Sequence, residues 1–196
     1  MGRSLIVGTL TEKLGEIAGW MKSRRMDALA VQETRWSGEG PLDLPCGYRA
    51  WLRPAESVRK TAGVGLILSA ALAESVADAQ RGSSRILVVG VQQGNQSMTF
   101  ISAYASQISC PAETKRAFGD SLSLLLTSRE PAKPLIVCGD FNARVHGPVV
   151  HWTGVCGSLG VGERNEEGDA LLDFCAVHQL SIVNNIFPKP IDWLIT

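Results

Sequence analysis

Apolar residues along this chain come in short blocks of two kinds, and their order predicts the fold class. Residues 4–10 (SLIVGTL) form a brief apolar run with the length of a buried strand. Over 12–25 the spacing changes. Leu14, Ile17, Ala18 and Met21 fall at helical intervals, and Lys22, Arg24 and Arg25 close the segment, where cations suit the helix dipole. Residues 27–33 (DALAVQE) return to a strand, and the Gly/Pro-rich stretch 37–47 reads as loop. Strands are predicted over 62–69, 85–91 and 97–104, the last two joined by a turn at Gly94-Asn95 as a hairpin. Residues 112–127 predict a helix with Phe118, Leu122, Leu125 and Leu126 on one face. A strand over 134–140 follows, then a helix over 168–179 packing Leu171, Leu172, Phe174 and Cys175, and a strand over 180–185. Strand–helix–strand, a run of strands, then two helix–strand pairs predict an α/β fold of two sheets with helices outside them.

Composition narrows this picture. With 196 residues, 45% hydrophobic and 19% charged, the chain can fill one core and is predicted to be a single domain over 1–196. It is not a disordered composition. Nineteen basic residues balance nineteen acidic ones, so no overall field advertises a polyanion. Local clusters stand at Lys22, Arg24 and Arg25 and at Arg59 and Lys60, and a solvated helix end explains the first equally well. The five cysteines are scattered and form no CxxC pair, which predicts a reducing compartment without disulfides or zinc; Cys138 and Cys175 lie in apolar runs as core fillers. No apolar run approaches the ~18 residues of a membrane span. The N-terminus lacks a signal-peptide core, and Ile6 breaks the myristoylation pattern that Met1-Gly2 would begin. An intracellular protein, nuclear or cytoplasmic and without a membrane partner, is the expectation.

Candidate chemistry gathers where apolar strands end. Gly139-Asp140-Phe141-Asn142 follows Leu135–Cys138 directly. Asp140 and Asn142 are two apart, and on an extended chain they would point to the same side. A carboxylate beside a carboxamide suits phosphoester hydrolysis: the first orients and deprotonates water, the second donates to a phosphate oxygen. Taken alone, an ordinary Asp/Asn turn accounts for the motif as well. Gln32-Glu33-Thr34 follows a second apolar strand, and Glu33 is a candidate ligand for a hard cation, since Mg²⁺ commonly takes one or two carboxylates and keeps several waters. Tyr104 ends a third, where its hydroxyl could meet a phosphate. Of the lesser candidates, His146 and His151 follow the Asp140 loop, His178 lies on a helix, and Trp36 and Trp152 are possible base-stacking platforms as well as core anchors.

In this order the three strand ends resemble the endonuclease/exonuclease/phosphatase superfamily, which includes apurinic/apyrimidinic endonucleases and DNase I-like enzymes. The resemblance is closer still to the endonuclease domain of RTE-type non-LTR retrotransposons and the craniofacial development protein 2-like host sequences related to them. It is carried by MDALAVQETRWSG, AGVGLILS, ISAYASQIS, LIVCGDFNARV and the segment from Leu159 to Phe187, and covers most of residues 9–187. It implies a DNase I-like four-layered α/β sandwich, two packed mixed sheets flanked by helices, with a divalent-metal site (Mg²⁺ or Mn²⁺) at one sheet edge and DNA as ancestral substrate. On matching positions, Glu33 would be the main metal ligand, Asp140 would position the water, Asn142 would bind the scissile phosphate and Tyr104 would contact phosphate or leaving group. Asp192 would match the Asp of the family's penultimate strand.

Two departures from the pattern bear on activity. Family members carry Asn in the first strand near the metal, and Ile6 stands at that position. Their final Ser-Asp-His segment has no counterpart here, so the domain reads as C-terminally incomplete. The expectation is therefore a metal-dependent endonuclease domain of retroelement descent with impaired activity; the alternative is a domesticated remnant that has kept the fold as a binding or structural module. A phosphatase acting on inositol phosphates or sphingomyelin shares the fold and ranks third. Three further expectations follow: Glu33, Tyr104, Asp140 and Asn142 gather at one edge, metal binding is weak, and no histidine replaces the absent one.

Overall fold

The computed structural model describes residues 2–8, 10, 13–38, 40–54, 63–147, 150–160 and 162–188. Its backbone contacts divide the chain into two compact units. One comprises Met1–Ala105 with Arg116–Asp140, the other Ser106–Lys115 with Phe141–Thr196.

The first unit holds two mixed sheets. In the five-stranded sheet β1 (Gly2–Ile6) pairs in parallel with β2 (Ala28–Gln32), which sets Ile6 beside Gln32. β3 (Pro41–Asp43), β4 (Arg49–Arg53) and β5 (Val64–Leu68) complete it in the order β1-β2-β5-β4-β3. The four-stranded sheet runs β6 (Val76–Ser83), β7 (Ile86–Gln93), β8 (Gln96–Tyr104), β9 (Leu135–Asp140), with β8 and β9 parallel. A short helix, α2 (Ala70–Ala73), leads from β5 toward β6.

The period-two alternation of a strand sorts side chains onto two faces, and here both faces are used. From β2, Leu29 and Val31 pack with Ile17, Ala18 and Met21 of α1 (Leu14–Ser23), while Ala28 and Ala30 face the other sheet. There Leu66 and Leu68 of β5 meet Leu87 and Val89 of β7 and Phe100 of β8 in a second core. Outside the four-stranded sheet lies α3 (Ala112–Thr127), whose Leu122 and Leu126 are buried and whose Leu125 lines one groove with Val88 and Ile101. Helix, sheet, sheet and helix make four layers. Each buried Leu, Ile, Val or Met side chain contributes roughly 1.5–3 kcal/mol to holding them together. Among the described residues no helix is long and apolar enough to cross a membrane.

The second unit is built around α4 (Glu166–Val177), which buries Leu172 and Cys175. Asn165 caps it: its Oδ1 accepts from the Gly168 amide at 3.0 Å and from the Arg144 amide at 2.8 Å. The cap thus ties the helix start to the chain leaving Asn142. Its Nδ2 donates to Oε2 of Glu167 at 3.0 Å, and the other oxygen of Glu167 takes Lys115 at 2.8 Å. That cation holds the Glu167 carboxyl below its ordinary value.

Several predicted elements change in detail. The loop of 37–47 contains β3 and a 3-10 turn at Pro45–Gly47, because β4 offers β3 a partner. Neither β4 nor β6 was anticipated. The strand predicted over 180–185 is replaced by a single bridge, Cys156 to Ile182, and a 3-10 turn at Val183–Asn185. Its apolar residues lack a sheet to join, and Val183 is 55% exposed. All five cysteines are free thiols, with Cys156 and Cys175 buried.

Candidate active site

Four strand ends meet at one edge of the first unit. β1 and β2 are parallel, as are β8 and β9, so their C-terminal ends point the same way within each sheet. Links across the gap bring the two sets of ends together. Ser4 Oγ donates to the Gly139 carbonyl at 3.2 Å, and Gln32 Nε2 reaches Ser102 Oγ at 3.5 Å. At the edge itself the Tyr104 hydroxyl donates to Oε1 of Glu33 at 2.7 Å.

Each side chain arrives there for a local reason. On β8, Phe100, Ser102 and Tyr104 share the face turned toward the other sheet, and Tyr104 is only 3% exposed. Asp140 is the register partner of Tyr104 and has the parity of Ile136 and Cys138, which pack into the inter-sheet core. The amide of Ala105 donates to the Asp140 carbonyl at 2.8 Å and fixes this strand end. Glu33 is the exception to parity. In an extended chain it would turn away from the face of Gln32, toward α1. Its φ of +55° bends the chain as it leaves β2 and brings the carboxylate back to the inter-sheet edge. A left-handed backbone at a non-glycine residue is costly, so surrounding structure must hold it.

The electrostatics follow from this crowding. Burial raises the Tyr104 phenol, the hydrogen bond to Glu33 and the charges of Glu33 and Asp140 add to it, and Arg85 opposes them; the result is about 12. The phenol therefore stays a hydrogen-bond donor through the physiological range. Around the carboxylate, buried polar atoms are left over. Gln32 is fully buried, yet its Oε1 has no hydrogen-bond partner among the described residues, and the same holds for Thr34 Oγ1.

The structure thus brings Glu33, Tyr104 and Asp140 together in one unit. Asn142 belongs to the second unit, the division falling between Asp140 and Phe141. The extended chain that the pleat rule assumes between Asp140 and Asn142 is not formed. β9 ends at Asp140, and Asn142 has a φ of +49°, so the pleat rule does not extend to it. Asp192 lies outside the described residues, as do Arg59 and Lys60. Ile6 ends β1 with 40% of its surface exposed.

The lesser candidates are engaged locally. In the second unit, His146 Nδ1 donates to the Gly162 carbonyl at 2.7 Å, His178 ends α4 against Phe174, and His151 meets the edge of Trp152. Trp152 donates to Asp173 at 2.9 Å and carries the Arg164 guanidinium over its ring. Trp36 packs against the core under α1, and Arg24 lies over the Trp20 ring. Two residues beside the site were missed. Ser102 gave a signal, a polar residue inside the apolar run ISAY at the parity of Phe100 and Tyr104. Arg85, the charged residue that opens the run 85–91, gave only a weak one.

A cation at this edge would find hard oxygen donors: the half-buried Glu33 carboxylate, Asp140 on the neighbouring strand and the unpartnered Gln32 carbonyl oxygen. Among the described residues no group of three or more His, Cys, Asp or Glu side chains forms a cage. A Mg²⁺ site needs none, since one or two carboxylates and several waters suffice. The donors fit such an ion, apart from the aliphatic Ile6.

The chain is similar to known proteins. Craniofacial development protein 2 of Bos taurus is 28% identical over 178 residues, 91% of this chain and 29% of that protein. The protein of the same name from Tragulus javanicus is 27% identical over 91% of this chain and 30% of its own. The chain thus spans about three-tenths of these relatives' length. The endonuclease domain of TRAS1, a telomere-specific non-LTR retrotransposon, superposes with a TM-score of 0.61 at 18% identity, covering 90% of this chain and 71% of that one. An AP endonuclease from Archaeoglobus fulgidus gives 0.63 at 16% identity, covering 90% and 69%. These two share the fold. The model of the endonuclease/exonuclease/phosphatase family matches residues 9–188, and the chain belongs to that family.

Proposed function

We propose that this chain acts as one endonuclease-type domain that hydrolyses phosphodiester bonds of DNA with a divalent metal, Mg²⁺ or Mn²⁺, at reduced efficiency. The observation that carries the reading is the 2.7 Å contact between Tyr104 and Glu33, with Asp140 in register beside Tyr104. The strained φ of Glu33 supports the reading, because such backbone strain clusters at functional sites. DNA as substrate is supported by the relatives named as endonucleases.

When bound, the metal supplies Lewis-acid stabilisation of charge on the phosphate. The rest falls to the chain. Glu33 would hold the metal through its carboxylate. Asp140 orients the attacking water and takes its proton. Tyr104, with a phenol raised to about 12, keeps its single O–H on Glu33 until substrate arrives and then turns it to a phosphate oxygen or the leaving group. On the family pattern alone, Asn142 matches the residue that binds the scissile phosphate and Asp192 the Asp of the penultimate strand.

A second reading is favoured by one observation. Ile6 places an aliphatic side chain at the end of β1, beside Gln32, where the family pattern has an amide. On this reading the domain has kept the fold as a binding or structural module and catalyses nothing. A supercoiled-plasmid nicking assay in Mg²⁺ separates the two. Nicking by the wild type that falls about 10²–10⁴-fold in Asp140→Ala, the size of a lost general base, supports the enzyme. Equal background rates in both proteins, with Asp140→Ala folded, sink it in favour of the binding module.

A further inference from the structure

Arg85 contacts Tyr104 at both its backbone and its ring. It stands where the chain turns from β6 into β7, its amide donating to Ser83 Oγ at 3.2 Å. Its Nη1 donates to the carbonyls of Tyr104 and Ala105, both at 3.2 Å, and its guanidinium carbon lies 4.9 Å from the centre of the Tyr104 ring. The Tyr104 amide in turn donates to the Arg85 carbonyl at 2.9 Å. One side chain therefore grips both the backbone that ends β8 and the ring that leaves it. A planar guanidinium can do this, since it donates in a fixed fork and stacks on an aromatic face; an ammonium is a point charge on a flexible stem. The far end of the same ring delivers its hydroxyl to Glu33.

We propose that Arg85 is a positioning residue, which fixes the Tyr104 ring and backbone so that the phenol stays on the Glu33 carboxylate. This rests on the reading above that Tyr104 and Glu33 belong to the phosphodiester site. Without the grip, the ring regains rotameric freedom at a strand end, and the phenol divides its time between Glu33 and water.

The chain has two tyrosines, so Tyr48→Phe leaves Tyr104 as the sole reporter. With tyrosine labelled by ¹³C at Cζ, the Tyr104 resonance reads the phenol–carboxylate hydrogen bond, and Glu33→Gln in the same background defines its position when that partner is uncharged. Arg85→Met is expected to move the resonance most of the way to the Glu33→Gln position, and Arg85→Lys less than half as far. If Arg85→Met does not fold, the Arg85→Lys displacement decides alone. A resonance that stays at the wild-type position while the melting temperature drops would show a purely structural residue and overturn the proposal. The functional reading is tested apart from this, by adding Mn²⁺ to the same sample. Glu33-dependent broadening of the Tyr104 signal supports a metal at the site. Its absence alongside an intact Arg85 effect removes the metal reading and leaves the positioning role standing.

Discussion

The carbonyl oxygen of Ala103 lies 1.9 Å from where a Cβ on Gly139 would stand, so β8 and β9 approach as closely as a bare backbone allows. This approach sets Asp140 beside Tyr104 and the Gly139 carbonyl within reach of Ser4. Gly139→Ala forces the obstructing atom, which is backbone, to move. The expected cost is roughly 1–3 kcal/mol or more, the range of core overpacking. It should appear as a lower denaturant midpoint and a displaced Asp140. An alanine variant of wild-type stability would mean that the strands are not this close.

Tyr104 ties stability to pH at the alkaline end. Its folded-state value, about 12, lies above the ordinary 10.0, so the protected phenol stabilises the fold fully below pH 10. That contribution is lost as pH rises from 10 through about 12, because the unfolded chain ionises first. The thiols of half-buried Cys138 and buried Cys175, both raised from 9.0 to about 11, begin the decline earlier, from pH 9. Tyr104→Phe should isolate the tyrosine share. It loses a hydrogen bond to a carboxylate, about 1.5–3 kcal/mol at neutral pH, and its deficit should shrink between pH 10 and 12. A constant difference from wild type across that window would contradict the assignment.

An acid-side counterpart operates in the second unit. Lys115 holds Glu167 ionised below its ordinary 4.5, and both side chains are partly screened from solvent, 33% and 18% exposed. A depressed carboxyl stabilises above its unfolded value and loses that contribution as pH falls through its folded one. The window therefore opens below pH 4.5. Lys115→Met should cost about 1 kcal/mol near neutrality and make the acid limb of the unfolding curve shallower. Parallel acid limbs in the two proteins would sink this.

How much of this was legible in the sequence follows from which partner each residue needed. The hairpin at Gly94-Asn95, β9 and α3 were readable because their patterns are local: a turn pair, an apolar run, a helical stripe. β6 was not readable. VADAQRGS carries Asp, Gln and Arg where a strand pattern wants apolar alternation, and it survives as an edge strand with two register shifts against β7. β4 did carry a signal, the alternation of Tyr48, Ala50 and Leu52 into the core under α1, hidden by the Gly/Pro-rich stretch before it. At the site, Glu33, Tyr104 and Asp140 stood out because each ends an apolar strand. Arg85 could hardly stand out, since its hydrogen bonds go to backbone carbonyls that carry no sequence label.

The last prediction concerns Ile6 and Gln32, neighbours across the parallel pair β1 and β2. Gln32 is fully buried, its Nε2 directed to Ser102, its Oε1 without a partner among the described residues. A buried carbonyl left unpaired costs about 1–3 kcal/mol. Asn at position 6 would offer an amide N–H on the same side of the sheet and leave its own oxygen for a hard cation. Little burial would be lost, because Ile6 is already 40% exposed. Ile6→Asn should therefore be at least as stable as the wild type and bind Mg²⁺ about tenfold more tightly, the value of roughly 1.4 kcal/mol from one added oxygen ligand. The wild type, with an aliphatic side chain there, should give nearly flat calorimetry at millimolar Mg²⁺. Adding Glu33→Gln to Ile6→Asn should return the trace to flat, since the carboxylate remains the principal donor. Tight, Glu33-dependent binding by the wild type would show that Ile6 is no obstacle. An Ile6→Asn protein that folds yet gains no affinity would show that this strand end does not face the metal.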